Sequence, residues 1–124
     1  MDPISEMLTT IRNGQSAGRQ SAEVSYSRVK EAILKIFAEL HFIAGFEVKE
    51  IEKRKILAIN FAEKRIENIK RISKPGRRKY IKAKDIRTPL TGLGYMIIST
   101  PRGLMESRQA RKLGLGGEVI CEIW

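Results

Sequence analysis

Two rhythms of apolar residues alternate along the first 62 positions. Ile4, Met7, Leu8 and Ile11 recur at helical spacing, with Asp2 suited to cap the helix and Pro3 to begin it. The pair "NG" at 13–14 is expected to stop it. "AEVSYS" then alternates as a short strand. Ser27 is placed to cap a second helix. Its stripe is Val29, Ala32, Ile33, Ile36, Phe37 and Leu40, spaced i, i+3, i+4, i+7, i+8 and i+11, and it ends near His41. "FEVKEI" and "KILAINF" read as a hairpin joined through "EKR".

After about residue 62 the rhythm shortens. "IENIKRI" and "RKYIKA" are strand-like around "SKPGR", where Pro75 and Gly76 suit a tight reversal. "TPLTGLG" reads as a loop, "YMIIST" as a buried strand, "STPRG" as a turn and "ESRQARKL" as a short helix followed by "GLGG". "EVICEIW" reads as a final strand. Regular alternation would put Val119, Cys121 and Ile123 on one face, and Ile120, Glu122 and Trp124 on the other. The expected fold class is α+β. A helix–strand–helix–strand–strand unit, 1–62, precedes a mostly β unit with one short helix, 63–124.

Charge sharpens this division. The 124 residues carry a net +10, and residues 64–87 alone hold 11 basic and 2 acidic side chains. Ile66, Ile69, Ile72, Tyr80 and Ile81 are interleaved with them, as in ordered backbone that presents cations. Such a field favours a polyanion, above all a nucleic acid. No apolar run is long enough to cross a membrane, so no membrane partner is expected. "MDPISEM" shows neither the basic region nor the apolar core of a signal peptide, which predicts a cytoplasmic protein. Cys121 is the single cysteine and reads as core filler.

Catalytic chemistry is scarce. His41 is the only histidine, and its position past the second helix suits a positive-φ cap. One His and one Cys cannot assemble a His/Cys zinc site, and no metal or cofactor is expected. "GLGY" and "LGLGGE" lack the G-x-G-x-x-G spacing. Gly114, Gly116 and Gly117 read better as a helix end followed by positive-φ turn residues. The chain is therefore read as no enzyme; an RNA-modifying enzyme would need a cofactor signature or paired catalytic groups. A DNA reader would more naturally offer a basic recognition helix, whereas the excess here lies on strand-like segments.

RNA-binding chemistry is better represented. In "STPRG", Ser99 and Thr100 offer short hydroxyls, Pro101 stiffens the turn, Arg102 adds a cation, and Gly103 leaves the backbone bare. Together "DPISEMLTTIRNG", "SKPGRRKY", "GLGYMIISTPRGLM" and "ARKLGLGGEVICEIW" resemble the bacterial form of small-ribosomal-subunit protein eight, in the right order over essentially the whole chain. The resemblance implies a two-part α+β protein that binds the central domain of 16S ribosomal RNA and supports small-subunit assembly beside other small-subunit proteins. It also implies a possible second target, the protein's own operon messenger RNA, whose translation some family members repress.

Carried over by that resemblance, the RNA-binding residues are Ser99, Thr100, Pro101, Arg102 and Gly103 in a loop that enters an RNA minor groove. They also include Gly116, Gly117 and Glu118 of a "GGE" beside it, Lys74, Arg77, Arg78, Tyr80 and Lys82 of a basic strand region, and Thr9, Arg12 and Asn13 of the first helix. Pro101 departs from the family's usual serine, and His41 replaces a glycine.

Overall fold

A computed structural model describes residues 2–63, 66–87 and 94–124, so most of the expected loop "TPLTGLG" lies outside the described residues. The chain divides into two units, Pro3–Ile66 and Glu67–Trp124. Helices and antiparallel sheets share the fold, which is α+β, and the second part is mostly β with one short helix.

In the first unit, α1 (Pro3–Ser16) and α2 (Arg28–Glu39) accompany a three-stranded antiparallel sheet. Its strands are β1 (Ser21–Ser25), β2 (Ile43–Ile51) and β3 (Arg54–Phe61), in the order β1-β3-β2. Met7, Leu8 and Ile11 of α1, Ile33, Leu34 and Phe37 of α2, and Leu57 and Ile59 of β3 are all buried. Helix α1 does not stop at Asn13–Gly14. Gly14 is buried, and a Cβ there would lie 2.6 Å from the Phe61 ring, so this glycine serves close packing. The helix runs on to Ser16 and is closed by a Schellman motif just beyond it. Gly18 takes φ +73, its N–H donates to the Gln15 carbonyl, and Arg19 N–H donates to the Gly14 carbonyl.

Ser27 caps α2 as expected, its hydroxyl accepting from Lys30 N at 3.2 Å. Val29 does not join the buried stripe and is 45% exposed. Lys30 takes that inner place, since its ammonium finds the Ser25 carbonyl at 3.0 Å and hydroxyl at 2.8 Å. The same Schellman geometry ends α2, with His41 at φ 66 donating to Ala38 and Phe42 donating to Phe37. The β2–β3 hairpin turns on two residues, Glu52 (φ 49) and Lys53 (φ 66), while Arg54 already pairs with Ile51. Left-handed backbone at both positions is the type I′ pattern, which matches the twist of the flanking strands.

In the second unit, β8 (Gly117–Ile123) is the central strand. Along one edge lies β6 (Tyr95–Thr100), itself paired with β7 (Gly103–Glu106). Along the other edge lie β4 (Ile69–Arg71) and β5 (Tyr80–Ile81), both paired with β8 and both shorter than the sequence pattern suggested. Strand β7 is absent from the sequence reading, since four residues are too few to show alternation. Helix α3 (Ser107–Lys112) is capped by Glu106, whose carboxylate accepts from Arg108 N and Gln109 N. Ile86, Met96, Ile98, Met105, Ala110 and Val119 form one core cluster. Ile69, Ile97, Cys121 and Ile123 are buried on the opposite face.

Val119 and Cys121 do not share a face, contrary to regular alternation. Ile97 pairs with Cys121 and Ile98 with Val119, leaving Ile120 as the extra residue of a β-bulge. The Ile120 carbonyl is used on the other edge, accepting from Ile72 N at 3.0 Å and Arg71 Nη1 at 2.7 Å.

Two measurements test these assignments. An L-residue in left-handed backbone costs about 1–2 kcal/mol, of which glycine's greater unfolded-state freedom cancels part. His41→Gly is therefore expected to stabilise the protein by about 0.5–1 kcal/mol in urea unfolding. Burial pushes the Cys121 thiol from 9.0 up to about 12, against a weaker opposing pull from Arg71. The folded state thus keeps the proton that the unfolded state releases. This contribution is intact below about pH 9 and is lost as pH rises towards about 12. Cys121→Ala is expected to lose less stability than the parent between pH 8 and 10.5.

Candidate nucleic-acid interface

Register places the candidate residues in a row. Tyr80 of β5 pairs with Glu118 of β8, and Glu118 pairs with Ser99 of β6. Partners in an antiparallel ladder point to the same side, and neighbouring strands lie about 4.8 Å apart, so the three side chains line one face over about 10 Å. Tyr80 is 70% exposed, while Ser99 and Glu118 are half-buried. The row thus offers an aromatic ring, a carboxylate and a short hydroxyl. Among the described residues, the Ser99 hydroxyl has no hydrogen-bond partner.

Thr100 is different. It follows Ser99 in the strand, so it points to the opposite face, where it is buried. Its hydroxyl donates to the Gly103 carbonyl at 2.8 Å and accepts from Arg102 N at 3.1 Å. The two hydroxyls therefore do separate jobs. Thr100 ties the hairpin turn, in which Pro101 and Arg102 are the exposed central residues and Gly103 takes φ +112. Proline fits the first central position because its ring fixes φ there.

Gly116 and Gly117 do not have the positive φ expected of them; of the three C-terminal glycines only Gly114 does, at +70. They matter through close approach instead. A Cβ on Gly116 would overlap the Ile81 carbonyl, and one on Gly117 the Ser99 carbonyl. Bare backbone at these positions lets β5, β8 and β6 close up where the row stands.

The cations sit beside the row on a pinched loop. Lys74 and Arg77 bond each other's backbone, at 3.1 and 2.9 Å, around Pro75–Gly76. The buried Ser73 hydroxyl closes the neck, accepting from Lys79 N at 2.8 Å and donating to the Lys79 carbonyl at 3.2 Å. Lys74, Arg77, Arg78 and Lys82 are all exposed. Among the described residues only Arg78 of these four has an acidic partner, Glu118, at 4.0 Å. Ser73 escaped the sequence reading, since nothing in "ISKPG" marks one serine as a buried neck.

Thr9, Arg12 and Asn13 belong to α1 in the other unit. Their i, i+3, i+4 spacing puts them on one side of that helix, with Arg12 and Asn13 exposed.

A family model described as "Ribosomal protein S8" matches residues 2–124. The small ribosomal subunit protein uS8 of Thermus aquaticus is 46% identical over 135 aligned residues, covering 99% of this chain and 98% of that protein. The proteins of the same name from Thermus thermophilus and Finegoldia magna are 43% and 46% identical, each aligned over 99% of this chain and 98% of the relative.

The split between the two hydroxyls has a direct consequence for stability. Thr100→Ala removes two turn hydrogen bonds at a partly solvated site and is expected to cost about 1 kcal/mol in urea unfolding. Ser99→Ala should lie within about 0.5 kcal/mol of the parent. Gly117→Ala, which sets a methyl against backbone, is expected to cost more than about 2 kcal/mol.

Proposed function

The chain belongs to the ribosomal protein S8 family, and on that premise we propose that it is a non-catalytic constituent of the small ribosomal subunit that binds the central domain of 16S ribosomal RNA directly. The register of Tyr80, Glu118 and Ser99 carries this reading. An RNA helix presents a wide, shallow minor groove lined with ribose hydroxyls and base edges. A short hydroxyl beside a carboxylate fits such a groove, because serine both donates and accepts while an ionised carboxylate accepts only. The Tyr80 ring supplies a stacking surface for a base that leaves the helix. Lys74, Arg77, Arg78 and Lys82 reach phosphates beside the groove, and Arg102 does so from the turn. Such contacts fix position without reading sequence.

Thr100 acts through the turn. Because its hydroxyl is spent on Arg102 and Gly103, the turn keeps its shape with Pro101 at its first central position. Gly116 and Gly117 act through backbone approach. Thr9, Arg12 and Asn13 supply a second contact from α1. The chain's own operon messenger RNA would use the same row, and competition between the two RNAs tests that extension.

Anisotropy titration of a 16S central-domain fragment, beside a random-sequence RNA hairpin of equal length, checks the proposal. Neutralising roughly 4 to 6 phosphates gives an expected slope of log K against log[salt] of about −3 to −5. Arg77→Ala should weaken both RNAs alike and make the slope shallower by about 0.7–0.9. Ser99→Ala should weaken the cognate fragment by at least about fivefold, leaving the hairpin and the salt slope unchanged. Cognate binding by a folded Ser99→Ala protein at parental strength would place the recognition row elsewhere.

A further inference from the structure

Arg71 of β4 has an uncommon place for a cation. Its ladder partner Cys121 and the neighbouring pair, Ile69 and Ile123, are all buried. The Arg71 side chain is itself only 12% exposed. A guanidinium cannot shed its charge, so a recessed one needs an anion and acceptors for its N–H groups. Both come from far away in the sequence. Nε donates to Asp2 Oδ1 at 3.4 Å, and the Asp2 side chain is 11% exposed. Nη1 donates to the Ile120 carbonyl at 2.7 Å. By its contacts Asp2 belongs with Glu67–Trp124, although Pro3 already begins α1. Ile120 is the extra residue of the bulge, outside the β6–β8 pairs, and its carbonyl also accepts from Ile72 N. Arg71 therefore ties an anion to the place where β8 changes frame.

We infer that Asp2 is a positioning residue, which holds Arg71 on the Ile120 carbonyl and so keeps the β8 bulge in the frame that sets Glu118 opposite Ser99. The inference rests on the RNA-binding role proposed above for that row. A bulge leaves its extra residue unpaired on one side and weakens the ladder locally. The charge-assisted hydrogen bond from Arg71 offsets that loss. It lasts only while the guanidinium stays recessed. Without the carboxylate, burial opposes the unpaired charge, and β4 lies at the sheet edge, where Arg71 has an open way to water. The bulge then opens more often. The chain spends less time with Glu118 opposite Ser99, and affinity for an RNA that needs the whole row falls by the same fraction. Phosphate contacts from the loop of Lys74 and Arg77 do not depend on this frame, so unspecific attraction is unaffected. Lysine does not replace Arg71, because all its donors share one nitrogen and do not span two acceptors as the planar fork does.

The test uses the full chain with Asp2→Asn, Asp2→Glu and Arg71→Lys. Glu23→Gln, at an exposed position of β1, controls for the gain of one positive charge. Native-state amide exchange and the Ile120 carbonyl carbon resonance are read without RNA. Affinity is read on the central-domain fragment and the random hairpin. Asp2→Asn is expected to speed exchange at Ile72 N–H about tenfold and to shift the Ile120 resonance, with the amides of β3 unchanged. Relative to Glu23→Gln it should bind the fragment about fivefold more weakly and the hairpin equally well. Arg71→Lys should show the same changes relative to the parent. Asp2→Glu, which keeps the anion, should stay nearer the parent than Asp2→Asn in both readouts. Should Arg71→Lys fail to fold, the two Asp2 variants decide alone. Unchanged exchange at Ile72 overturns the inference. So does exchange that quickens equally across β4, β6 and β8, since the ion pair would then serve stability alone. Local quickening with an undiminished preference for the fragment overturns it too, and leaves the RNA-binding role standing. A parent that does not distinguish fragment from hairpin removes that role, and the positioning role with it.

Discussion

Strand β8 is crowded on both edges where it begins: Gly116, just before it, faces the Ile81 carbonyl, and Gly117, its first residue, the Ser99 carbonyl. Ordinary side chains would push β5 and β6 apart there. Without them, three strands meet within hydrogen-bonding distance, and three unlike groups share one surface row. The turn beyond Ser99 depends on the same closeness, because Thr100 spends its hydroxyl inside the hairpin and leaves Ser99 as the outward group. Chemistry at this surface is therefore set by backbone spacing first and by side-chain identity second.

Placement of charge follows a related economy. The cation-bearing loop is closed by neutral contacts: the mutual backbone bonds of Lys74 and Arg77, and Ser73 against Lys79. Because none of these uses a charged group, the loop holds its shape without tying up its positive side chains. A salt-bridged loop of the same length would be ordered at the expense of the field it presents. The buried Lys30 shows the opposite arrangement, a cation fully committed to two oxygens of Ser25 and serving the fold alone.

Long elements with local causes were legible from sequence. Helix α2 announced its Ser27 cap, its left-handed His41 and, from Ile33 onward though not at Val29, its stripe, because all three depend on residues within a turn or two. "YMIIST", "EVICEIW" and "ESRQARKL" were legible for the same reason, and so was the excess of cations over 64–87. What sequence hid was decided by distant partners. "NG" resembles a helix stop, yet Gly14 stays helical because Phe61 needs the space. "IENIKRI" and "RKYIKA" resemble hairpin arms, yet only a few residues of each pair, and both do so with β8. Ser99 and Thr100 look equivalent side by side, and only the strand's two faces separate them. Nothing in the local residue pattern shows that Ser73 is buried.

The bulge at Ile120 lets one strand run in two phases. Glu118 and Cys121 are three residues apart and still share a face, which an unbroken strand forbids. Had the ladder run on without the extra residue, Val119 would stand opposite Ser99 and Glu118 would fall in step with Thr100, towards the core. The run Val119–Ile120–Cys121, three apolar residues inside an alternating strand, is the trace of this change of frame in the sequence. The buried end of β8 and the end that carries Glu118 therefore answer to different partners under separate frames. A disturbance of pairing that starts at the far end of the strand meets a break in the ladder at Ile120 before it reaches the row of Tyr80, Glu118 and Ser99.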